Sequence, residues 1–292
     1  MKNFYIITNS VKDPDLAVTN AISNYLELRG CRVYLAKVDP HKEIADGKAG
    51  YCSTDPSDIP DDVECIIVLG GDGTLVRAAD DVVDRQIPLL GINLGTLGYL
   101  AEIDRASIFP ALDALLEDAC QIEPRMMLSG TVYHKDEVVS RKIALNDIVI
   151  ARGDTKPHVI SIYNYVNDAY LNDYRADGII ISTPTGSTGY SLSAGGPIIS
   201  PAAHLFLMTP LAAHTLQARS VVLPPENRIT IRLGAGKDES VERAVCSFDS
   251  DRLVPMVTGD RVEICRADKD VLFVKIHNDS FLETLRRKMT DF

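Results

Sequence analysis

Residues 64–79 read Glu64-Cys65-Ile66-Ile67-Val68-Leu69-Gly70-Gly71-Asp72-Gly73-Thr74-Leu75-Val76-Arg77-Ala78-Ala79, and this stretch decides the fold. Its first part is short, apolar and rich in β-branched residues, the pattern of a buried strand. It runs into a turn with three glycines in four positions. Such a turn lets the backbone adopt φ > 0 and lets a ligand approach without an intervening Cβ. The pattern from Leu75 onward predicts a helix whose first N–H groups face the turn. Strand, glycine turn and helix start together make a phosphate cradle. One carboxylate, Asp72, sits inside it. Beside a polyphosphate a carboxylate is unfavourable unless it binds a metal or takes a proton. The alternative is a tight turn with an exposed aspartate.

Upstream, residues 4–9 form a mostly apolar run, as in a buried parallel strand. Asp13-Pro14-Asp15 offers a helix start, with apolar spacing to Leu28 and a stop at Gly30. Cys31–Leu35 predicts a second strand. Residues 40–62 are polar, with prolines, glycines and aspartates, and read as an exposed loop. Downstream of a helix at 74–84, Ile87–Asn93 is another buried strand. It enters a second glycine turn, Leu94-Gly95-Thr96-Leu97-Gly98-Tyr99-Leu100. A helix over 104–119 follows. Strands alternating with helices, each ending in a glycine turn, predict an α/β domain with an open parallel sheet over 1–120. Ligands then bind at the carboxyl ends of its strands. Neither turn fits the Gly-x-Gly-x-x-Gly or Walker A spacing, which excludes a standard Rossmann or P-loop protein.

The texture changes near Gln121. Short β-type runs at 126–134, 138–151, 158–167, 177–183, 228–234, 241–248, 261–266 and 270–276 predict an all-β, antiparallel, sandwich-like domain over 121–275. The segment 276–292 carries an amphipathic helix at 280–288, expected to pack back on the first domain.

The 292 residues have a net charge of −11 and 46% hydrophobic residues. The acidic balance leaves no basic surplus for nucleic acid. An anionic substrate must therefore meet local positives and backbone amides. The six cysteines form no Cys-x-x-Cys pair. They read as core thiols in a reducing compartment, without a zinc site or disulfide framework. No apolar run approaches the roughly 20 residues of a membrane span. The start of the chain reads as a strand and not a signal peptide. A cytoplasmic protein without a membrane partner is the expectation.

Four patches of the second region combine polar residues with turn chemistry. Asn146-Asp147 interrupts the apolar runs Ile143–Leu145 and Ile148–Ile150. A polar pair there is costly unless satisfied, so it is a bulge or a ligand contact. Arg175-Ala176-Asp177-Gly178 precedes Ile179–Ile181 and offers a surface ion pair or a grip on a ribose or amide. Thr183-Pro184-Thr185-Gly186-Ser187-Thr188-Gly189-Tyr190-Ser191-Leu192-Ser193-Ala194-Gly195-Gly196-Pro197 crowds hydroxyls and glycines directly after an apolar strand. That suits a polyhydroxylated or phosphorylated ligand. It does not fit Gly-x-Ser-x-Gly, which argues against a serine nucleophile. Cys246–Asp251 places Asp249 and Asp251 on one face if extended, as a metal-ligand pair or a hairpin turn.

In this order and spacing, these motifs resemble the NAD kinase family over nearly the whole chain. The glycine turn alone is shared with diacylglycerol-type lipid kinases and, with Ser for Thr, phosphofructokinases; the Thr183–Pro197 stretch is more specific. The resemblance implies phosphorylation of the adenosine-ribose 2′-hydroxyl of NAD by ATP, giving NADP and ADP. Asp72 would be the proton acceptor, and Mg²⁺ or another divalent metal would bridge the nucleotide phosphates. Gly71, Gly73, Thr74 and Arg77 would meet ATP phosphates. Asp72, Gly73, Tyr99, Asn146, Asp147, His158, Arg175, Asp177, Thr188, Gly189, Tyr190, Ser191, Leu192 and Ser193 would bind NAD. No dedicated protein metal ligand is implied. The family implies a homo-oligomer, dimer or tetramer.

Two positions depart from the family pattern. Asp251 stands where relatives often place Gln, and Gly189 where many place Ala. Two other functions stay open at this point: a non-catalytic NAD(P) sensor, and a lipid or sugar kinase sharing the glycine turn.

Overall fold

The computed structural model describes residues 1–37, 54–95, 98–101, 103–153, 158–214, 218–276 and 281–290. Residues 40–53 of the expected 40–62 loop, Thr96 and Leu97 of the second glycine turn, and the Asp251 side chain lie outside the described residues. In chain order the first elements are β1 (Asn3–Thr8), α1 (Ala17–Glu27), β2 (Arg32–Leu35), β3 (Cys65–Gly70), α2 (Asp72–Val82), β4 (Leu89–Asn93), α3 (Ile108–Leu116) and β5 (Gln121–Arg125). Then come β6 (Leu128–His134), β7 (Glu137–Ala144), β8 (Asp147–Arg152), β9 (Ile160–Val166), β10 (Ala169–Ala176) and β11 (Gly178–Ser182). They are followed by α4 (Tyr190–Ser193), β12 (Phe206–Leu211), β13 (Val221–Leu223), β14 (Ile229–Leu233), β15 (Arg243–Phe248) and β16 (Asp251–Val257). The chain closes with β17 (Arg261–Arg266), β18 (Val271–Lys275) and α5 (Phe281–Thr290).

Two compact units result: Met1–Pro124 with Val271–Phe292, and Arg125–Asp270. The first is built on a sheet ordered β2-β1-β3-β4-β18-β5. β1 pairs in parallel with β2 and β3, and β4 with β3 and β18. β3 is buried along its whole length, which is why it reads as an unbroken apolar run. α3 buries Ile108, Ala111, Leu112 and Leu115, an i, i+3, i+4, i+7 stripe. These side chains join Phe4, Ile22, Leu26, Ile67 and Leu69 in one core.

The first helix starts at Ala17 rather than near Asp13, because Leu16 takes a left-handed conformation with φ 52°. Asp13 still serves the helix start: its carboxylate accepts the Val18 and Thr19 N–H groups and the Thr19 hydroxyl. Burial pushes this carboxyl up, but the bonds from Thr19, Val18 and Ala17 outweigh it and hold the group below its usual range. At the other end of the chain, α5 belongs to the first unit, with the Lys288 ammonium 5.3 Å from the Tyr99 ring centroid.

The run 270–276, expected in the β-rich region, is instead β18 of the first sheet. An apolar run announces a strand but not its partner, so nothing local separated it from its neighbours.

The second unit contains two antiparallel sheets, ordered β10-β9-β14-β17-β6-β7 and β13-β12-β11-β8-β15-β16. They share a core that includes Leu128, Ile148, Ile162, Ile179, Phe206, Ile231, Cys246 and Phe248. The expected strand 138–151 is two strands, β7 and β8, in different sheets. The chain changes sheet at Leu145-Asn146. β10 and β12 were not among the expected strands: β10 mixes Tyr170 and Leu171 with Asn172, Asp173 and Arg175 and shows no clean apolar alternation, and β12 contains Pro210.

Among the described residues, Cys31, Cys65, Cys120, Cys246 and Cys265 are free thiols. Cys265 is exposed, not in the core.

Candidate functional site

The glycine turn of the first unit joins β3 to α2 at the carboxyl end of the parallel sheet. Gly71 is the N-cap residue of α2 with extended backbone, φ −149° and ψ −175°. Asp72 therefore lies in the first turn of the helix. Its carboxylate reaches the second glycine turn. Oδ2 accepts the Tyr99 N–H at 2.7 Å, and Oδ1 accepts those of Leu100 at 3.2 Å and Ala101 at 3.0 Å. A Cβ on Gly98 would lie 1.8 Å from Asp72 Oδ1, so only glycine allows this approach. The two glycine turns that the sequence places at successive strand ends are thus joined through one carboxylate.

The other members of the turn differ in what they face. Thr74 is buried, and its hydroxyl accepts a bond from Asn9 Nδ2 at 3.1 Å. Its N–H is bonded to the Gly71 carbonyl. Gly70 cannot carry a side chain, because Thr74 Oγ1 would be 2.4 Å from its Cβ. Around Gly73, by contrast, no heavy atom lies within 4 Å of a built Cβ. Among the described residues nothing in the fold asks for glycine there. Arg77 is half-buried further along α2. Sequence reasoning passed over Asn9, which is 65 residues from Thr74 and carries no local signal.

In the second unit, Asn146-Asp147 is where the chain crosses between sheets. The Asp249 carboxylate organises the crossing: it accepts the N–H groups of Leu145, Asn146 and Asp147 at 2.7, 2.7 and 3.0 Å. Asp249 and Ser250, with φ 50° and 62°, form the hairpin between β15 and β16. The sequence left hairpin and metal pair open for this segment; Asp249 is a hairpin residue bonded to backbone. Asp147 is 3% exposed, and its Oδ1 has no hydrogen-bond partner. Burial, and then the nearby Asp249 charge, push its carboxyl up to about 7. Asn146 is half-buried and holds the Thr183 N–H through its carbonyl.

The Thr183–Pro197 segment packs onto this crossing. Thr183 Oγ1 donates to the Leu145 carbonyl at 2.6 Å and accepts the Gly186 N–H. A Cβ on Gly186 would lie 2.1 Å from the Asn146 carbonyl oxygen. Ser187, fully buried, donates to Pro184 and accepts from Ile199. Thr188 donates to the Thr185 carbonyl, and Ser191 shares a hydrogen bond with Thr209. Many of these hydroxyls therefore hold the segment itself. Gly189, Tyr190, Leu192 and Ser193 are exposed, and a Cβ on Gly189 would be 3.8 Å from Asp147 Oδ2.

A cavity of about 590 Å³ in the same unit brings together His158, Arg175 and Asp177 with Arg152, His214, Lys237 and Glu242. His158 Nε2 lies 2.7 Å from the buried Glu242 carboxylate. Asp177 pairs with Arg152 at 3.4 Å, a partner that the Arg-x-Asp spacing did not suggest. The pocket is cation-rich and of ligand size.

Phosphoryl transfer is the chemistry that a carboxylate on a glycine turn at a parallel strand end serves, and the class so defined is a nucleotide-handling transferase. The comparisons with known proteins name the family. Residues 5–120 match the ATP-NAD kinase N-terminal domain and residues 145–276 the ATP-NAD kinase C-terminal domain. The chain is 44% identical to an NAD kinase of Agathobacter rectalis over 100% of both chains. It is 42% identical to an NAD kinase of Lachnospira eligens, over 99% of this chain and 100% of the other. In fold it is similar to an NAD kinase from Archaeoglobus fulgidus in complex with ATP, with TM-score 0.75, 23% identity and 100% of both chains covered. It is likewise similar to yeast NADH kinase complexed with NADH, with TM-score 0.79, 23% identity and 99% and 87% covered. The chain belongs to the NAD kinase family, and its activity is the formation of NADP from NAD and ATP.

Proposed function

We propose that the phosphoryl group goes to the adenosine-ribose 2′-hydroxyl of NAD, with Asp72 accepting the hydroxyl proton. The observation that carries this reading is the hydrogen bonding of Asp72. Oδ2 accepts one N–H and Oδ1 two. A carboxylate has roughly four lone-pair sites, so one on Oδ2 remains to take a proton. The three amides fix its direction, and orientation is most of what phosphoryl transfer asks of a protein base.

Gly71, Gly73, Thr74 and Arg77 are assigned to the ATP phosphates, and Gly73 has the open surroundings that this role needs. Asn146, Asp147 and Tyr99 are assigned to the adenosine part of NAD. His158, Arg175, Asp177 and residues 188–193 complete dinucleotide recognition, the first three from the cationic cavity. NADH binding and ATP binding by the two structural relatives accord with this division of ligands.

A divalent metal enters with ATP, as is general in the family. Among the described residues no group of three or more His, Cys, Asp or Glu side chains is arranged to hold a metal. Such an ion would be held chiefly by the nucleotide's own phosphates and water, the usual manner for Mg²⁺. When bound it neutralises phosphate charge. Among the described residues no helix is long and apolar enough to cross a membrane. We expect a homo-oligomer, to be checked by light scattering of the pure protein.

The test is NADP formation by pure protein from NAD, ATP and Mg²⁺, with the phosphate position read by ³¹P NMR. A 2′-phosphate is expected from the wild type. Asp72→Asn should lower kcat by about 10³-fold, the scale of a lost general base plus lost positioning, with NAD affinity kept. Near-normal turnover in this variant removes Asp72 from the base role.

A further inference from the structure

Facing the glycine turn is a lysine that belongs to none of the family motifs read from the sequence. Lys12 lies in the loop between β1 and α1, and its ammonium stands over both glycine turns. A Cβ built on Gly71 would lie 2.6 Å from Lys12 Nζ, and one on Gly95 3.4 Å. The absence of side chains at these two positions is what lets the ammonium settle there.

The loop that carries Lys12 is held on both sides. Asn9, 7% exposed, accepts the Val11 and Lys12 N–H groups on Oδ1, at 3.1 and 3.2 Å. The same side chain donates to Thr74 Oγ1, and its own N–H is bonded to the Leu69 carbonyl of β3. Asp13, 4% exposed, is tied to Val18 and Thr19 of α1. The backbone of Lys12 is thus fixed to the strand and the helix of the phosphate turn. Its side chain is exposed, and among the described residues no carboxylate pairs with its ammonium. A surface lysine held this way, without a partner, at the mouth of a glycine turn has no evident stabilising role.

We propose that the Lys12 ammonium binds the terminal phosphates of the nucleotide donor on the Gly70–Thr74 turn and offsets the charge that develops there during transfer. A compact ammonium with three rotatable donors suits several non-bridging oxygens at once. It also resolves an electrostatic problem of the turn. Asp72 brings a carboxylate to the place where a polyphosphate must sit, and Lys12 supplies a positive charge on the same face. The proposal rests on the phosphoryl-transfer reading above.

The experiment compares wild type, Lys12→Met and Lys12→Arg by steady-state kinetics in ATP and in NAD, by equilibrium dialysis of MgATP, and by thermal unfolding. Lys12→Met is expected to lose about 10²-fold in kcat/KM for ATP, the size seen when one preorganised charge-stabilising donor is removed. KM for NAD should stay within about twofold and Tm should be unchanged, since the side chain is exposed. Lys12→Arg should recover a substantial part of the loss, because the charge is kept. Near wild-type kcat/KM for ATP in Lys12→Met overturns the proposal. So does a loss that appears in KM for NAD alone, or one that Lys12→Arg shares in full together with a lowered Tm. If the wild type forms no NADP, the reaction assignment fails by itself. MgATP dialysis then still decides Lys12: weaker retention by Lys12→Met supports the proposal, and equal retention refutes it.

Discussion

The Gly70–Thr74 turn and the Thr183–Pro197 segment look alike in sequence, both crowded with glycine and hydroxyl residues after an apolar strand. In the fold they work differently. In the first, Gly73 faces open space among the described residues, and the nearest atom to a Cβ on Gly71 is the tip of Lys12. In the second, Gly186 faces the Asn146 backbone at 2.1 Å and Gly196 faces Ser191 Oγ at 2.4 Å. Gly70, like Gly186 and Gly196, lets the chain approach itself, whereas Gly73 is left open among the described residues. The hydroxyls divide likewise. Thr183, Ser187, Thr188 and Ser191 are bonded within the second unit. What that segment offers outward are Gly189, Tyr190, Leu192 and Ser193, beside Asn146 and the buried Asp147.

This contrast is open to direct attack. The largest effect is expected from Gly186→Ala. A methyl against backbone has no flexible side chain to displace, so the crossing at Leu145-Asn146 must shift. A loss of about 3 kcal/mol or more is expected, read as a lower midpoint in urea unfolding. An unchanged midpoint would show that the two stretches are not interlocked.

Gly73→Ala should do the reverse. Alanine in a helix is favoured over glycine by about 1 kcal/mol, so Tm should hold or rise. The added methyl stands in the proposed path of the phosphates, and kcat/KM for ATP should fall about tenfold. Full activity in this variant would make Gly73 a mere turn residue.

The smallest effect concerns Asp147. Its carboxyl, pushed up to about 7 in the folded protein, ordinarily titrates near 3.8. Between these values the folded state binds a proton that the unfolded chain has released. Stability therefore falls as pH rises through this window and is at its best below it. Asp147→Asn cannot titrate, so its Tm relative to wild type should improve by a few degrees from pH 5 to pH 8. A difference that does not change with pH would place the Asp147 carboxylate in a more solvated setting than the fold gives it.

Legibility followed distance along the chain. β3 and β4 were readable because a strand buried on both faces is an unbroken apolar run. The site turn was readable because glycine, aspartate and helix start are neighbours. His158, Arg175 and Asp177, named through the family resemblance, line one cavity. Asn9, Lys12 and Arg152 were not singled out in the sequence, and Asp249 was read only as half of a metal-ligand pair or a hairpin turn. Each acts on a group far away in sequence: Asp249 bonds amides 102 to 104 residues distant. β18 was visible as a strand, but its place beside β4 was not.

By itself, then, the sequence determined that a parallel α/β region ends a strand in a glycine turn bearing a carboxylate. It also determined that a β-rich region with polar breaks follows, because apolar period, turn residues and helix starts act within a few positions. Only the tertiary structure decided that amides of residues 99–101 aim Asp72, that Asp249 holds the crossing at Asn146-Asp147, and that the hydroxyls of the second segment mostly bond to its own unit. Hydrogen-bond partners and strand neighbours are chosen by proximity in space, and proximity across 30 to 100 residues leaves no period in the chain to read.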